Sequence, residues 1–412
     1  MIVLYNPHTD DFLAEPPHFR FLKRRPLRKY GYLLKGAIAR GEMIEVYVDG
    51  TISAFIPERW LALLPAVVRR VTAGWEIQRW VKINGLEGKV RVIDRVDNVR
   101  ARAALMFSYK GATGPLFERR QEHLRAFASI VSHLSHYFIS TDEKARNLAR
   151  LDNLILAGDS DVRNNPYFQH YFPWYKRPLL LSSFAVSARF QDRTPFAERQ
   201  AKAVATGTFH NLREERPQRK YRDFMQFFRT SAYHPVRKLL HENREQISAH
   251  VDCYIAPYRE GTPKSAFHRL ARHFAIAQKA YFQVDIAALY NTYRYAIVGE
   301  EATGFPALGA FEAMACGCLL LADPQFYQGL GIVPGTHFIQ HHGTLQSIIA
   351  AIDELNADPV RAARIAANGK AFVQQHLQED QAYTRFVAEV AQLISTGADR
   401  DHGAALPARR RL

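Results

Sequence analysis

The chain has 412 residues, of which 47% are hydrophobic, 12% aromatic and 23% charged. This length predicts two domains rather than one core, and the composition excludes a chain that is disordered along most of its length. The 55 lysines and arginines exceed the 40 aspartates and glutamates, and the net charge of +15 predicts an acidic partner such as nucleic acid, anionic lipid or a phosphorylated small molecule.

Cysteine usage and the first residues favour a cytoplasmic protein. Two of the three cysteines, Cys316 and Cys318, have a spacing that fits neither a disulfide framework nor a structural zinc site. Residues 1–5 have the pattern of a buried strand and not of a signal peptide. The sequence contains no run of eighteen apolar residues, so we expect no transmembrane helix.

A basic segment near the N-terminus is interleaved with aromatic residues. This pattern predicts docking on an anionic membrane surface, at the inner face of the membrane, with a solvated helix face as the alternative. The cations of this segment are Lys23, Arg24, Arg25, Arg28 and Lys29, followed by Lys35 and Arg40.

The first half of the chain alternates short apolar runs with amphipathic stretches, a pattern typical of a parallel sheet with helices on both faces. We expect strands at 2–5, 43–48, 103–107, 137–140 and 154–157. We expect helices around 24–40, 57–72, 117–134 and 142–150. His133 and His136, placed by this pattern at the end of a helix, are expected to be structural.

An aromatic, proline-punctuated stretch at 160–196 predicts the crossing between two domains. After it the alternation restarts, with strands expected at 201–207, 251–256, 296–298 and 318–322. We therefore expect an N-terminal domain at 1–195 and a C-terminal domain at 196–380. Residues 381–412 are expected to form a closing helix that returns to the first domain, followed by a basic disordered tail.

Residues 295–323 have the pattern of a strand, a glycine-containing loop, a short helix and a second strand. Backbone N–H groups before that helix, and its positive dipole end, can receive diphosphate oxygens. The candidates for this phosphate cradle are Gly304, Phe305, Pro306, Ala307 and Leu308. Glu312 lies about one turn into the helix, where a carboxylate can accept two ribose hydroxyls. Dinucleotide-binding folds share such turns, but no Gly-x-Gly-x-x-Gly follows Tyr5 or Thr206, which counts against a Rossmann dehydrogenase.

The run Phe311-Glu-Ala-Met-Ala-Cys-Gly resembles a signature of GT-B glycosyltransferases similar to family 4, and the resemblance extends over about residues 200 to 395. It implies two Rossmann-like, doubly wound domains that face each other across a cleft. In that family the second Glu of a Glu-x7-Glu motif holds the donor ribose, a role that the resemblance carries onto Glu312. Gly304 stands where the first Glu belongs. The nearby acidic residues are Glu300 and Glu301, and Glu301 is a further candidate for binding the donor.

The resemblance implies transfer of a sugar from a nucleotide-sugar to a hydroxyl of a saccharide or lipid-linked acceptor, in cell-surface polysaccharide or glycoconjugate synthesis. It further implies a retaining, metal-independent enzyme with no cofactor. Cations on the diphosphate would stabilise the leaving group, and Arg213 and Lys264 are the preferred candidates. If the enzyme instead inverts, Asp159, His8 or Asp10 can act as the base.

The alternative hypothesis is a basic, non-catalytic nucleic-acid-binding protein. It rests on the net charge and on aromatic residues close to basic ones, namely Phe227, Phe228, Arg229 and Tyr233. The sequence contains no recognised nucleic-acid-binding motif.

Overall fold

A computed structural model describes residues 2–9, 30–93, 95–100, 102–108, 110–181, 184–213, 218–257 and 284–395, without the side chain at position 83. Several predicted residues lie outside these ranges: Asp10, Lys23, Arg24, Arg25, Arg28, Lys29 and Lys264.

The N-terminal half is built around a seven-stranded sheet in the order β3-β2-β1-β4-β5-β6-β7, with every pair of neighbours parallel. Its strands are β1 (Ile2–Tyr5), β2 (Ile44–Tyr47), β3 (Val90–Ile93), β4 (Ala103–Met106), β5 (Ser129–His133), β6 (Leu154–Gly158) and β7 (Leu180–Leu181). The central strands β4 and β6 are buried along their whole length. Their side chains alternate between two hydrophobic clusters, one on each face, so the sheet is covered on both sides.

The described helices of this half are α1 (Tyr32–Ala39), α2 (Glu58–Leu61), α3 (Ala66–Asn84), α4 (Phe117–Leu124), α5 (Thr141–Leu148) and α6 (Pro166–Tyr171). The predicted helix at 117–134 is wrong in its second half, because 129–133 forms β5 in the centre of the sheet, where Ile130 and Val131 are fully buried. His133 therefore ends a strand. The predicted strand at 137–140 is also wrong, since these residues form the turn before α5.

The C-terminal half contains a five-stranded sheet in the order β12-β11-β10-β8-β9, again with every pair parallel. Its strands are β8 (Gln200–Phe209), β9 (Val251–Pro257), β10 (Tyr293–Ile297), β11 (Leu319–Ala322) and β12 (Ile339–Gln340). Its helices among the described residues are α7 (Arg222–Phe228), α8 (Pro235–Glu242), α9 (Ile286–Thr292), α10 (Leu308–Ala315), α11 (Leu345–Ala357) and α12 (Pro359–His376). Two such parallel α/β halves agree with the predicted fold class.

The last described helix, α13 (Glu379–Ser395), packs against α1 of the first half. Its buried residues Tyr383, Phe386 and Val390 belong to the same hydrophobic cluster as α1 and β2. The chain thus crosses between the halves twice, first through 184–199 and again just before α13. The two crossings touch, since Val186 pairs with Gln378 and its N–H donates to the carbonyl of Leu377 at 2.7 Å.

Aromatic side chains from both halves form one cluster where the two sheets meet. Tyr221 stacks on Phe138, with ring centroids 5.8 Å apart, and Phe224 packs against Tyr167. Three of the four residues that favoured nucleic-acid binding, Phe227, Phe228 and Tyr233, belong to this cluster or pack against it. Tyr233 is 3% exposed, and its ring centroid lies 3.9 Å from that of Phe138. The ring of Tyr233 is therefore enclosed by protein, while Phe227 and Phe228 are partly buried against the same cluster.

None of the helices in the described ranges is both long enough and apolar enough to cross a lipid bilayer.

Candidate donor-binding site

Two helices begin at the carboxyl edge of the second sheet, which is where parallel α/β sheets bind ligands. Helix α8 follows β8 with His234 at its N-cap, and α10 follows β10 with Ala307 at its N-cap. Neither N-cap residue accepts a hydrogen bond from the first turn through its side chain. The first-turn N–H groups of both helices therefore present partial positive charge at the same sheet edge.

Glu312 is partly buried on α10, and its carboxylate makes no hydrogen bond within the described part of the chain. Burial raises its pKa to about 7, an effect that Arg189 in the crossing segment 184–199 partly opposes. An unbonded carboxylate in this setting can accept hydrogen bonds from hydroxyl groups of a ligand.

Arg237, in the first turn of α8, is a buried cation that the sequence analysis did not identify. Its guanidinium group donates to the carbonyl of Thr208 at 2.8 Å. It packs against two strand ends that carry no side chain, since a Cβ on Gly207 would lie 2.8 Å from its Nε and one on Gly299 3.1 Å from its Cγ. The two glycines allow the arginine to reach the sheet edge. The sequence feature that points to it is the helix start His234-Pro-Val-Arg237 after a strand that ends near Gly207.

His234 adds a second buried nitrogen-containing group beside Arg237. Burial, and then the charges of Arg237, His210 and His136, hold the pKa of His234 well below its usual value. Its Nδ1 atom is buried and has no hydrogen-bond partner in the described residues. His136 belongs to the N-terminal half, so both halves contribute basic groups to this location. With the pKa of His234 lowered, the positive charge here comes from Arg237, and it favours an anionic ligand.

The two acidic residues before the loop have different partners. Glu300 is buried, which raises its pKa to about 7, and its carboxylate accepts a hydrogen bond from the N–H of Asp323 at 3.3 Å. Glu301 accepts a hydrogen bond from the hydroxyl of Tyr233. Glu301, which we predicted to bind the donor, is therefore already engaged with a residue of the aromatic cluster.

The loop at 303–305 differs from the predicted open phosphate cradle, because it packs on the N-terminal half. Tyr137 donates to the carbonyl of Thr303, and the hydroxyl of Ser160 donates to that of Gly304 at 3.1 Å. Phe305 is 1% exposed, with its ring centroid 5.6 Å from that of Tyr137. Burial of this apolar ring explains the difference.

The three residues that follow lead into helix α10. Pro306 is buried, whereas Ala307 and Leu308 are partly exposed at the helix start. Of the predicted cradle, these last two residues remain accessible beside the first-turn N–H groups.

Asp159 lies at the carboxyl edge of the first sheet, directly after β6. Its Oδ1 accepts a hydrogen bond from Tyr30 at 2.5 Å and lies 3.6 Å from Nε2 of His133. The Nδ1 atom of His133 accepts from the N–H of Ser135 at 2.8 Å. In the neutral ring the proton is therefore on Nε2, which faces Tyr30 and Asp159. All three side chains are nearly fully buried.

His8 follows β1 at the carboxyl edge of the same sheet. It is 1% exposed, and its Nε2 lies 3.2 Å from Oε2 of Glu76 on α3. Arg213 is exposed in the loop after β8. The described residues contain no group of three or more histidine, cysteine or acidic side chains that could hold a metal ion.

Residues 229–388 match the model of a family described as glycosyl transferase-like. Sucrose-phosphate synthase from Thermosynechococcus elongatus superposes with a TM-score of 0.51 at 13% identity, over 96% of this chain and 99% of that chain. Anabaena HepE, solved with UDP-glucose, has a TM-score of 0.48 at 13% identity, over 95% and 100%. A glycosyltransferase from Rickettsia africae has a TM-score of 0.47 at 10% identity, over 96% and 98%. No curated protein sequence matches significantly.

The fold and the segment match agree with each other. Arg237 and Glu312 both lie within the matched residues 229–388. The chain therefore has the GT-B fold. The match to a glycosyl transferase-like family covers residues 229–388, which include the starts of α8 and α10.

Proposed function

We propose that this protein transfers a sugar from a nucleoside-diphosphate sugar to a hydroxyl group of an acceptor, where its two domains meet. The observation that carries the proposal is Glu312, a partly buried carboxylate without a hydrogen bond in the described residues, one turn into a helix at the ligand-binding edge of the sheet. Two hydroxyls of the donor ribose would donate to its two oxygens.

The diphosphate would bind to the basic groups at the same edge. Arg237 and the first-turn N–H groups of α8 and α10 supply positive charge there. When the bond between the sugar C1 and the diphosphate oxygen breaks, negative charge develops on the departing phosphate, and these preorganised groups stabilise it. On this basis we propose a reaction that needs neither a metal ion nor a cofactor.

We propose further that the sugar is transferred with retention of its anomeric configuration. The departing phosphate then takes the proton from the acceptor hydroxyl as the new C1–O bond forms. This proposal is supported by the burial of Asp159 and His8, which are engaged with Tyr30 and Glu76. We expect D159N to keep transfer within about tenfold of wild type, whereas loss of a general base costs about 10²–10⁴-fold.

We propose that the acceptor hydroxyl belongs to a saccharide or to a lipid-linked molecule. The reaction would take place on the cytoplasmic side, in polysaccharide or glycoconjugate synthesis.

The test of the donor site is E312Q, with E312A as a second variant. Binding of UDP-, GDP-, CMP- and dTDP-sugars is measured by thermal stabilisation and calorimetry, and transfer by product analysis.

Loss of two charge-assisted hydrogen bonds of about 1.5 kcal/mol each predicts a fall in donor affinity of about 100-fold in E312Q, together with loss of transfer. The matched control is E242Q, at an exposed glutamate of α8 that pairs only with Lys238 in the described residues. Wild-type donor affinity in E312Q would falsify the assignment.

A further inference from the structure

Helices α2 and α3 present an apolar and aromatic surface to solvent. Five large side chains of this surface are each between 52% and 74% exposed, namely Trp60, Leu63, Val67, Val71 and Trp75. We call these five residues the α2–α3 face. So many large apolar side chains in one 16-residue stretch require an explanation, because exposed apolar patches of this kind mark interaction sites.

The spacing on α3 separates this face from the core. Val67, Val71 and Trp75 follow each other at intervals of four residues and so lie on one side of the helix. The opposite side carries Ile77 and Trp80, which are buried in the cluster that also contains α1 and β2. Helix α3 is therefore held in place by its buried side, and the exposed side is not needed for that packing.

The exposed charges around the face have one sign. The acidic residues of α2 and α3 are Glu58, whose side chain is 20% exposed and pairs with Arg120, and Glu76, which is 2% exposed and lies against His8. The exposed charged residues close to the face are Arg59, whose guanidinium lies 5.5 Å from the Trp60 ring, together with Arg70 and Lys82. A partner that covers this face must accept apolar and aromatic side chains and also carry negative charge.

We propose that the α2–α3 face docks on an anionic lipid bilayer. Tryptophan side chains favour the boundary between headgroups and acyl chains, and Leu63, Val67 and Val71 would insert just below it. Arg59, Arg70 and Lys82 would contact the phosphate groups of anionic lipids. A second copy of the chain fits less well, because an interface formed by this face on both copies would place the cations Arg59, Arg70 and Lys82 of one copy against the same set of cations on the other.

This surface is distinct from the basic segment at Lys23–Lys29, which lies outside the described residues. The docking does not depend on the proposed sugar transfer, and vesicle binding can be measured without a donor. The Trp75 end of the face lies near the carboxyl edge of the first sheet, because the adjacent Glu76 contacts His8 after β1. A bilayer on it would lie beside the half that is expected to hold the acceptor.

The test is co-sedimentation of the full chain with two kinds of vesicle. One contains only phosphatidylcholine, and the other contains about one-third phosphatidylglycerol, an anionic lipid. We expect binding to the anionic vesicles that weakens with salt. L63S/V71S, which changes two exposed side chains, should lower the partition coefficient at least about tenfold because both lose their insertion into lipid. R70Q/K82Q should reduce the preference for anionic lipid.

The matched control is V360S, at a valine that is 78% exposed at the start of α12 in the other half; it should bind as wild type. Brominated lipids should quench tryptophan fluorescence in wild type and much less in W60F/W75F. Equal vesicle binding by L63S/V71S and wild type, or an oligomer in solution that L63S/V71S dissociates, would overturn the proposal.

Discussion

The hydroxyl of Tyr137 donates a hydrogen bond to the carbonyl of Thr303, and this bond joins the two domains at the loop that leads to Glu312. Both groups are buried, so removal of the hydroxyl leaves an unsatisfied carbonyl. Y137F should lower the free energy of unfolding by about 1–3 kcal/mol. It should also increase hydrogen exchange in residues 301–308.

The control for Y137F is Y295F, which removes a hydroxyl that donates to Asn356 within the C-terminal half at 2.8 Å. It should also destabilise the protein but leave exchange in residues 301–308 unchanged. If both variants change exchange in this loop equally, the loop is not held specifically by the contact between the domains.

Gly304 cannot accept a side chain without displacing the N-terminal half. Its φ is +106°, and a Cβ would lie 2.9 Å from Nδ2 of Asn165 and 3.0 Å from Cγ1 of Val162. G304A should therefore cost about 2–5 kcal/mol, the sum of the backbone and overpacking penalties. G335A is the control, since Gly335 has φ +76° but no atom within 4 Å of the Cβ position, and it should cost only about 1–2 kcal/mol. Equal losses of unfolding free energy would show that the close approach is relieved at little cost.

The pKa of Glu312 predicts how donor affinity depends on pH. Burial raises this pKa to about 7, and the ribose hydroxyls must donate to the ionised carboxylate. Affinity for a nucleotide-sugar should therefore rise as the pH rises through about 7, by roughly 30-fold between pH 5.5 and 8.5.

Calorimetric titration with an intact nucleotide-sugar across this pH range checks the expectation. E312Q should bind weakly with little dependence on pH. A wild-type affinity that falls as the pH rises would contradict the role of the carboxylate, because protonated Glu312 would then be the binding form.

Arg237 should act on the phosphates and not on the base. R237Q should weaken binding of a nucleoside diphosphate by about 10–100-fold, since a charge-assisted contact of about 1.5–3 kcal/mol is lost, and it should leave binding of the corresponding nucleoside unchanged. R237K should show a smaller loss, because it keeps the charge without the bidentate geometry. Competition binding with the two ligands, after thermal unfolding has shown that each variant is folded, measures this. An equal loss of nucleoside affinity would contradict a role for Arg237 at the phosphates.

Most strands could be predicted from apolar runs, because nearly every side chain of a strand that is buried on both faces must be apolar. The edge strand β3 was not predicted, and its middle residues Arg91 and Val92 are exposed. The two-residue strand β7 is too short to produce a pattern. These two strands and β12, which was also not predicted, lie at the ends of their sheets, where burial no longer dictates sequence. The fourth missed strand, β5, is central, and its apolar residues were predicted as the end of a helix because a short apolar run fits either structure.

The site could be predicted only where its residues are close in sequence. Glu312 belongs to a continuous motif, so it was found, and its role stays a prediction. His234 and Arg237 lie about 75 residues earlier in the chain, and only the parallel pairing of β8 and β10 brings the start of α8 to the same sheet edge as the start of α10. The loop at Gly304 and Phe305 was predicted to face phosphate, but sequence spacing does not show that Tyr137 and Val162 cover it.

The contact between Val186 and Gln378 has a consequence for motion. Both connections between the domains pass side by side through this one point, which is therefore a common pivot for movement of one domain against the other. Rotation about this pivot strains neither connection, whereas sliding of one domain along the other would stretch both. Any opening between the domains must therefore separate the aromatic cluster by rotation and not by translation.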